Sequence, residues 1–458
     1  MKNVKAIPGG NKMGTWSIGK LLVNMALPLV ISMLVQALYN VVDSIYVSRI
    51  SESAVTALSL AFPIQNLLIG CATGVGVGVN SLLSKSLGEQ NFERANRTAG
   101  NGFLLSCLFS AGFVIFGLFF ARPFFASQTT VTETLEGGTI YLTIVTIGSI
   151  GIFVEILFER LLQASGNAFQ SMITQTTGAI INIILDPILI FGWFGLPAMG
   201  IAGAALATVI GQWLAACLAM VLNLKYNQEL KDLCRRHIRP DGYVVRTILN
   251  VGVPSIIMVG IGSIMNFGIN QILQGFSETA TGVFGIYFKL QSFFFMPLFG
   301  INNAVISIVA FNYGARRPER MVKTLKLATC AGLGIMLCGL AAFQLAPELL
   351  LSIFDPSAEF MRMAVRALRT ISWCFPVAAV CIILGSTFQA LGTGIYATIV
   401  SLCRQLVVLL PAAWLLSLSG EVTRVWWAWP IAESMGLGMT VFLFLRNYRQ
   451  RIKPLYED

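Results

Sequence analysis

About twelve apolar runs, each near or above 20 residues and almost free of charge, follow one another along the 458-residue chain. A helix needs about 20 such residues to cross the roughly 30 Å hydrocarbon layer of a bilayer. Cutting the chain wherever charges or clusters of Gly, Pro and Asn interrupt the runs predicts spans near 21–47, 55–84, 98–121, 138–164, 169–194, 200–223, 247–275, 280–312, 322–345, 362–391, 394–419 and 424–446. Only 11% of the residues are charged, against about 25% in a soluble domain. Soluble enzymes, disordered chains and nucleic-acid binders are excluded, and an all-α integral membrane protein is predicted. The nine cysteines are odd in number, contain no C-x-x-C pair and fall mostly in apolar runs. They read as small core hydrophobes, not as a disulfide or zinc framework.

The formal charge of +10 has a topological explanation. With both termini in the cytoplasm, 23 of the 31 Lys and Arg residues fall at the cytoplasmic side, including Lys2, Lys5, Lys12, Lys20, Lys231, Arg235, Arg236 and the basic stretch from Arg316 to Lys326. The opposite loops carry Glu52, Glu133, Glu136, Glu278, Glu348, Asp355, Glu359 and Glu421. This positive-inside bias predicts a multi-pass protein of the inner or plasma membrane. The N-terminal lysines precede a span that carries Asp43, with no small-residue cleavage site, so a retained first helix is predicted rather than a signal peptide.

GEQNFER, with Gly88, Glu93 and Arg94, and GARRPER, with Gly314, Glu319 and Arg320, lie 226 residues apart. The same offset carries Gln163, Ala164 and Gly166 onto Gln389, Ala390 and Gly392, and Pro28, Asn40, Phe62, Gln65 and Gly74 onto Pro254, Asn266, Phe288, Gln291 and Gly300. The chain is therefore read as a tandem duplication. An even number of spans per half makes the repeats parallel. The expected architecture is twelve transmembrane helices in two parallel six-helix bundles related by pseudo-twofold symmetry, residues 1–224 and 247–458, joined by a cytoplasmic linker at 225–246. Two such bundles facing a central cavity suit alternating access.

Energy coupling has few candidates. GTWSIGKL at 14–21 misses the hydroxyl of a phosphate loop and follows no strand, and GVGVG at 74–78 lies within an apolar span, where it reads as a close-packing face. Ionisable groups inside the hydrocarbon mark functional sites. Asp43 in the first span and Asp186 in the fifth both fall in the outer half of the membrane. Asn182 and Asn40 share helix faces with them at spacings of four and three, Pro187 loosens the local backbone ladder, and Thr208 in the sixth span lies at similar depth. Two acids, an amide and a hydroxyl could hold Na⁺ by oxygen ligands, or crowded acids could hold H⁺. At the offset of 226, Asp43 and Asp186 become Ile269 and Ala412, so the cation site is expected in the N-terminal bundle alone. Glu155 is a candidate relay group, although Glu159 and Arg160 follow within a turn and suggest a stretch facing the cytoplasmic vestibule. Lys289 and Arg404 suit a cavity role or a structural ion pair equally, Trp426, Trp427 and Trp429 read as an aromatic belt, and His237 as a solvated linker residue.

NIILDPILIFG at 182–192 followed by GIAGAALAT at 200–208, VVDSIYVSRI at 41–50 and the two Q-A-x-G elements resemble the multidrug and toxic compound extrusion (MATE) family over nearly the whole chain. In its DinF-related branch, an Asp of the first helix, an Asn-x-x-x-Asp of the fifth and a Thr of the sixth form the cation site, which carries over onto Asp43, Asn182, Asp186 and Thr208. The NorM-type branch places acids in the C-terminal lobe, and the seventh span here has none. The resemblance implies H⁺- or Na⁺-coupled export of amphipathic, often cationic compounds from the cytoplasm. A monomer is expected, with no cofactor beyond the coupling ion, and the topological basic excess needs no nucleic-acid partner. The alternative within the superfamily is a lipid-linked oligosaccharide flippase, which would need cationic side chains in its cavity; only Lys289 and Arg404 offer them. A passive channel or a membrane enzyme fits less well, for want of a polar ring or a catalytic constellation.

Overall fold

In a bilayer every backbone polar group must be satisfied within the segment, so each apolar run closes its own hydrogen bonds as a helix. The computed structural model describes residues 11–230, 239–354 and 357–457. Lys2, Lys5, Lys231, Cys234, Arg235, Arg236, His237 and Asp355 lie outside the described residues. Twelve spans follow in order: α1 (Ile18–Ser48), α2 (Glu52–Gly88), α3 (Phe92–Phe119), α4 (Thr132–Ile147 and Ile150–Ala164, bent by 44°), α5 (Ala168–Phe191), α6 (Gly200–Tyr226), α7 (Gly242–Gln274), α8 (Glu278–Gly314), α9 (Pro318–Leu345), α10 (Ala358–Ala390), α11 (Gly394–Ser417) and α12 (Val422–Tyr456).

Capping residues fix where several helices start and end. Ser51 and Ser277 accept the N–H groups of Ala54 and Ala280, each at 3.1 Å, and such caps contribute about 1 kcal/mol apiece. At the other end of α5, Gly192 takes φ 74°, a left-handed C-cap that favours glycine. The duplication reaches the element bounds themselves. The bounds of α2 and α8, and those of α3 and α9, are each 226 residues apart, as are those of two short helices, Ala121–Ala126 and Pro347–Ser352. Six residues are too few to leave a hydropathy signal, so these two were not foreseen.

Small residues set the packing between the halves, where α2 meets α7 and α8, and α1 meets α8. A Cβ at Gly74 would stand 2.8 Å from the Gly252 carbonyl, so the GVGVG stretch is indeed a close-packing face. A Cβ at Gly88 would overlap the Phe311 carbonyl and one at Gly314 the Lys85 carbonyl, a reciprocal crossing related by the same offset. This crossing lies at the end of the bundle rich in Lys and Arg, called here the basic end. A short helix, Lys12–Thr15, spans both halves there: Arg320 donates to the Met13 and Trp16 carbonyls (2.9 and 2.8 Å), Arg317 to that of Gly14 (2.7 Å), and Asn11 to that of Ser165 (3.3 Å).

Two expectations are corrected. Trp426 and Trp429 are 0% and 8% exposed, their rings meet at a tilt and Trp429 also meets Phe284 inside the second half, leaving only Trp427 on the outside. Glu159 and Arg160 do not face a vestibule; they are 6% and 7% exposed, within the first half. The described cysteines are free, with Cys71, Cys374 and Cys381 buried and Cys217, Cys330 and Cys338 exposed.

Candidate functional site

Helices α1 and α5 run toward the acidic end and pack side by side, while α6 returns against α5. This brings together side chains from residues 39–43, 182–186 and 208. Asp186 is 0%, Asn182 3% and Thr208 7% exposed, and Asp43 is half-buried. The amide orientation that satisfies every neighbour has Asn182 donating to Asp186 Oδ2 at 2.9 Å, while its oxygen accepts from the Thr208 N–H (3.0 Å) and hydroxyl (3.2 Å). The Asp43 and Asp186 carboxyls are close neighbours. Two ionised carboxylates are acceptors only, so a proton or a cation between them would relieve their repulsion. Asp186 Oδ1 has no partner among the described residues and is buried, leaving an acceptor open in the site.

Two tyrosines complete the walls. Tyr39 meets the Thr208 hydroxyl and Tyr141 accepts from Gln65 Nε2 at 3.2 Å, and both rings stand near the two acids. The sequence reading missed them. Tyr39 precedes Asp43 by four residues, the spacing that on α5 joins Asn182 to Asp186, and that was its available signal. Asn40, expected beside Asp43, is a correction: its side chain is exposed, because three residues rotate it to the far flank of Asp43 from Tyr39. Pro187 lies inside α5 and removes the N–H that would bond the Ile183 carbonyl.

Among the described residues the second half holds no such cluster. Ile269 and Ala412 occupy the equivalent positions, Ile269 fully buried. Lys289 is exposed, and Arg404 donates to Glu433 at 2.6 Å within an ion pair whose side chains are 21% and 13% exposed. Glu433 was not foreseen as that partner, since it lies 29 residues away in α12. Glu155, on α4, is half-buried with its Oε1 3.4 Å from where a Cβ of Gly178 would stand. As chemistry, the first half offers two carboxyls, an amide and hydroxyls able to take one small cation or proton.

Residues 28–188 and 254–415 match a family model described as MatE, and the starts of the two matches repeat the internal offset. The chain is 25% identical over 419 residues to the "Probable multidrug resistance protein YoeA" of Bacillus subtilis (strain 168), covering 90% of each chain. It is 24% identical over 435 residues to the "Multidrug export protein MepA" of Staphylococcus aureus (strain MRSA252), covering 94% of each. A solved structure described as the outward-facing conformation of a multidrug resistance MATE family transporter of the MOP superfamily superposes with a TM-score of 0.90 at 25% identity, over 99% of this chain and 100% of that one.

Proposed function

The chain belongs to the MatE family, a multi-pass membrane transporter by that membership, and from this premise we propose that it exports amphipathic, cationic compounds by cation-coupled alternating access. Its basic end, with both termini, faces the cytoplasm of a cell whose inner or plasma membrane it spans. The single observation that carries the coupling role is the juxtaposition of the half-buried Asp43 and the buried Asp186 carboxyls in one half of a duplicated scaffold, replaced by Ile269 and Ala412 in the other. Burying two acids in an apolar bundle is expensive, and the duplicate shows that the scaffold does not need them.

A cation held between the acids relieves their repulsion and favours the bundle arrangement that contains the site; its release favours the other. A ligand shifts such an equilibrium only through its differential affinity for the two states, so removing either charge uncouples transport without preventing folding or substrate binding. The flippase alternative wants free cationic side chains within the membrane, and Arg404 is already neutralised by Glu433. The test is efflux of a cationic dye from proteoliposomes under an imposed ΔpH or ΔNa⁺. Asp43→Asn and Asp186→Asn are each expected to abolish gradient-driven efflux, whereas Ile269→Ala retains it. Wild-type efflux by Asp186→Asn would show the acid pair to be structural.

A further inference from the structure

The buried face of α5 is polar along most of its length. Ser171, Thr174, Gly178, Asn182 and Asp186 follow at spacings of three and four, which stack them on one side of the helix, and all five are buried. Across from them α4 presents Glu155, Glu159 and Gln163, spaced by four. The two rows meet in rungs. Gln163 Nε2 donates to Ser171 Oγ at 2.9 Å and Thr174 Oγ1 donates to Glu159 Oε1 at 3.1 Å. Glu155 projects its carboxyl to the side of Gly178, where the absence of a side chain lets α4, α5 and α6 approach closely. Asn182 follows one turn beyond and is bonded to Asp186.

We infer that the coupling ion is a proton and that it passes between the Asp43–Asp186 pair and the basic end through this seam, carried by Glu155 and Glu159; the inference rests on the coupling role proposed above for the acid pair. Three observations support it. The seam sets polar groups of α4 and α5 face to face from Gln163 and Ser171 to Glu159 and Thr174, with Glu155 and Asn182 in the turns between that pair and Asp186. Glu159 is buried and Glu155 half-buried within the first half, and neither belongs to the acid pair itself. At the offset of 226 only Gln163 is kept, as Gln389: Glu155, Glu159, Thr174, Asn182 and Asp186 become Cys381, Gly385, Val400, Val408 and Ala412, so packing of the six-helix scaffold does not require the acids.

The groups acting on Glu155 are few. Glu159 and Arg160 stand on its own helix, with Arg160 turned to Gln163 Oε1 at 2.9 Å, and the acid pair lies beyond Asn182. Helix α2 carries no Asp, Glu, His, Lys or Arg between Glu52 and Lys85, nor does α6 before Lys225. A proton leaving the acid pair converts the Glu155 carboxylate to the acid, with water bridging the turn occupied by Asn182. Glu155 then passes it to Glu159, one turn nearer the basic end. Each step moves one proton from a carboxylic acid to a carboxylate, so charge and atoms balance.

The test uses purified full-length protein in pyranine-loaded proteoliposomes, with ethidium as the cationic probe and Asp186→Asn measured in parallel. Glu155→Gln and Glu159→Gln are each expected to lose tenfold or more of ΔpH-driven ethidium efflux while binding ethidium within twofold of wild type, and Glu155→Asp to recover part of the rate. Thr174→Val, which keeps the shape of the seam, is expected to slow efflux severalfold and displace its pH midpoint; it decides the matter should the glutamate variants not be recovered as folded protein. Wild-type rates and pH midpoints in these variants overturn the relay, as does efflux driven by ΔNa⁺ at clamped pH. If Asp186→Asn is inactive while Glu155→Gln and Glu159→Gln are normal, the relay alone fails; if Asp186→Asn is fully driven, the coupling reading fails with it.

Discussion

On α1, Asp43 has one polar neighbour three residues back and another four residues back, and the bundle selects the second. Asn40 is exposed, while Tyr39 reaches Thr208 and the acids. Asn40→Ala is therefore expected to keep gradient-driven dye efflux near the wild-type rate, and Tyr39→Phe to reduce it several-fold, because only the second removes a hydroxyl from the site. Equal losses in both variants would contradict the placement. Arg404 and Glu433 bear on stability. Removing one member of a pair set in an apolar bundle leaves an uncompensated charge, which costs roughly 3–5 kcal/mol when fully buried and less here, where both side chains are partly exposed. Arg404→Met should lower the thermal unfolding midpoint in detergent, and adding Glu433→Leu should restore much of it.

At the scale of the element, the helices are decided by their ends as much as by their apolar middles. Asp241 caps α7 by accepting the N–H groups of Tyr243 (3.0 Å) and Val244 (3.3 Å), and Arg97 reaches its other oxygen at 3.3 Å. The Val244 N–H foremost, with Arg97 and the Tyr243 N–H, holds the carboxyl below its usual range. A folded-state pKa depressed in this way contributes stability that is present above the unfolded value, near 4, and is lost as pH falls through the folded value. Asp241→Asn, which still caps but cannot ionise, should thus be less stable than wild type at neutral pH and converge on it in acid. A constant difference across that range would remove the ionic contribution. The reciprocal crossing of Gly88 and Gly314 shows the other control on elements: two long helices approach backbone to backbone only where neither carries a side chain.

For the whole molecule, sidedness is the property with the widest consequences, since it sets the direction of transport. Tyr243, 65% exposed at the basic end, and Phe194, 88% exposed at the acidic end, are suitable reporters in a cysteine-free background. Asn227 is not, because it is 2% exposed and bonded to Leu161 and Asn223. An impermeant thiol reagent applied to intact cells is expected to label Phe194→Cys and spare Tyr243→Cys. The reverse pattern would invert the topology and with it the proposed export.

Span number, the tandem repeat and the membrane class were legible in the chain because each rests on something one-dimensional: the length of an apolar run, the spacing of a repeat, the share of charged residues. The acids of the site were legible for a related reason, as Asp43 and Asp186 are conspicuous against an apolar background and absent from the repeat. What the tertiary structure alone decided was which way each helix faces. Lipid tails are as apolar as Leu, so a span facing lipid on one side and protein on the other carries little amphipathic contrast to read. Hence Asn40 turned outward and Trp426 inward, Glu159 and Arg160 proved buried, and Arg404 found Glu433 across 29 residues of chain. The polar seam from Asp186 to Gln163 became visible for the same reason, once packing had brought one face of α5 against one face of α4.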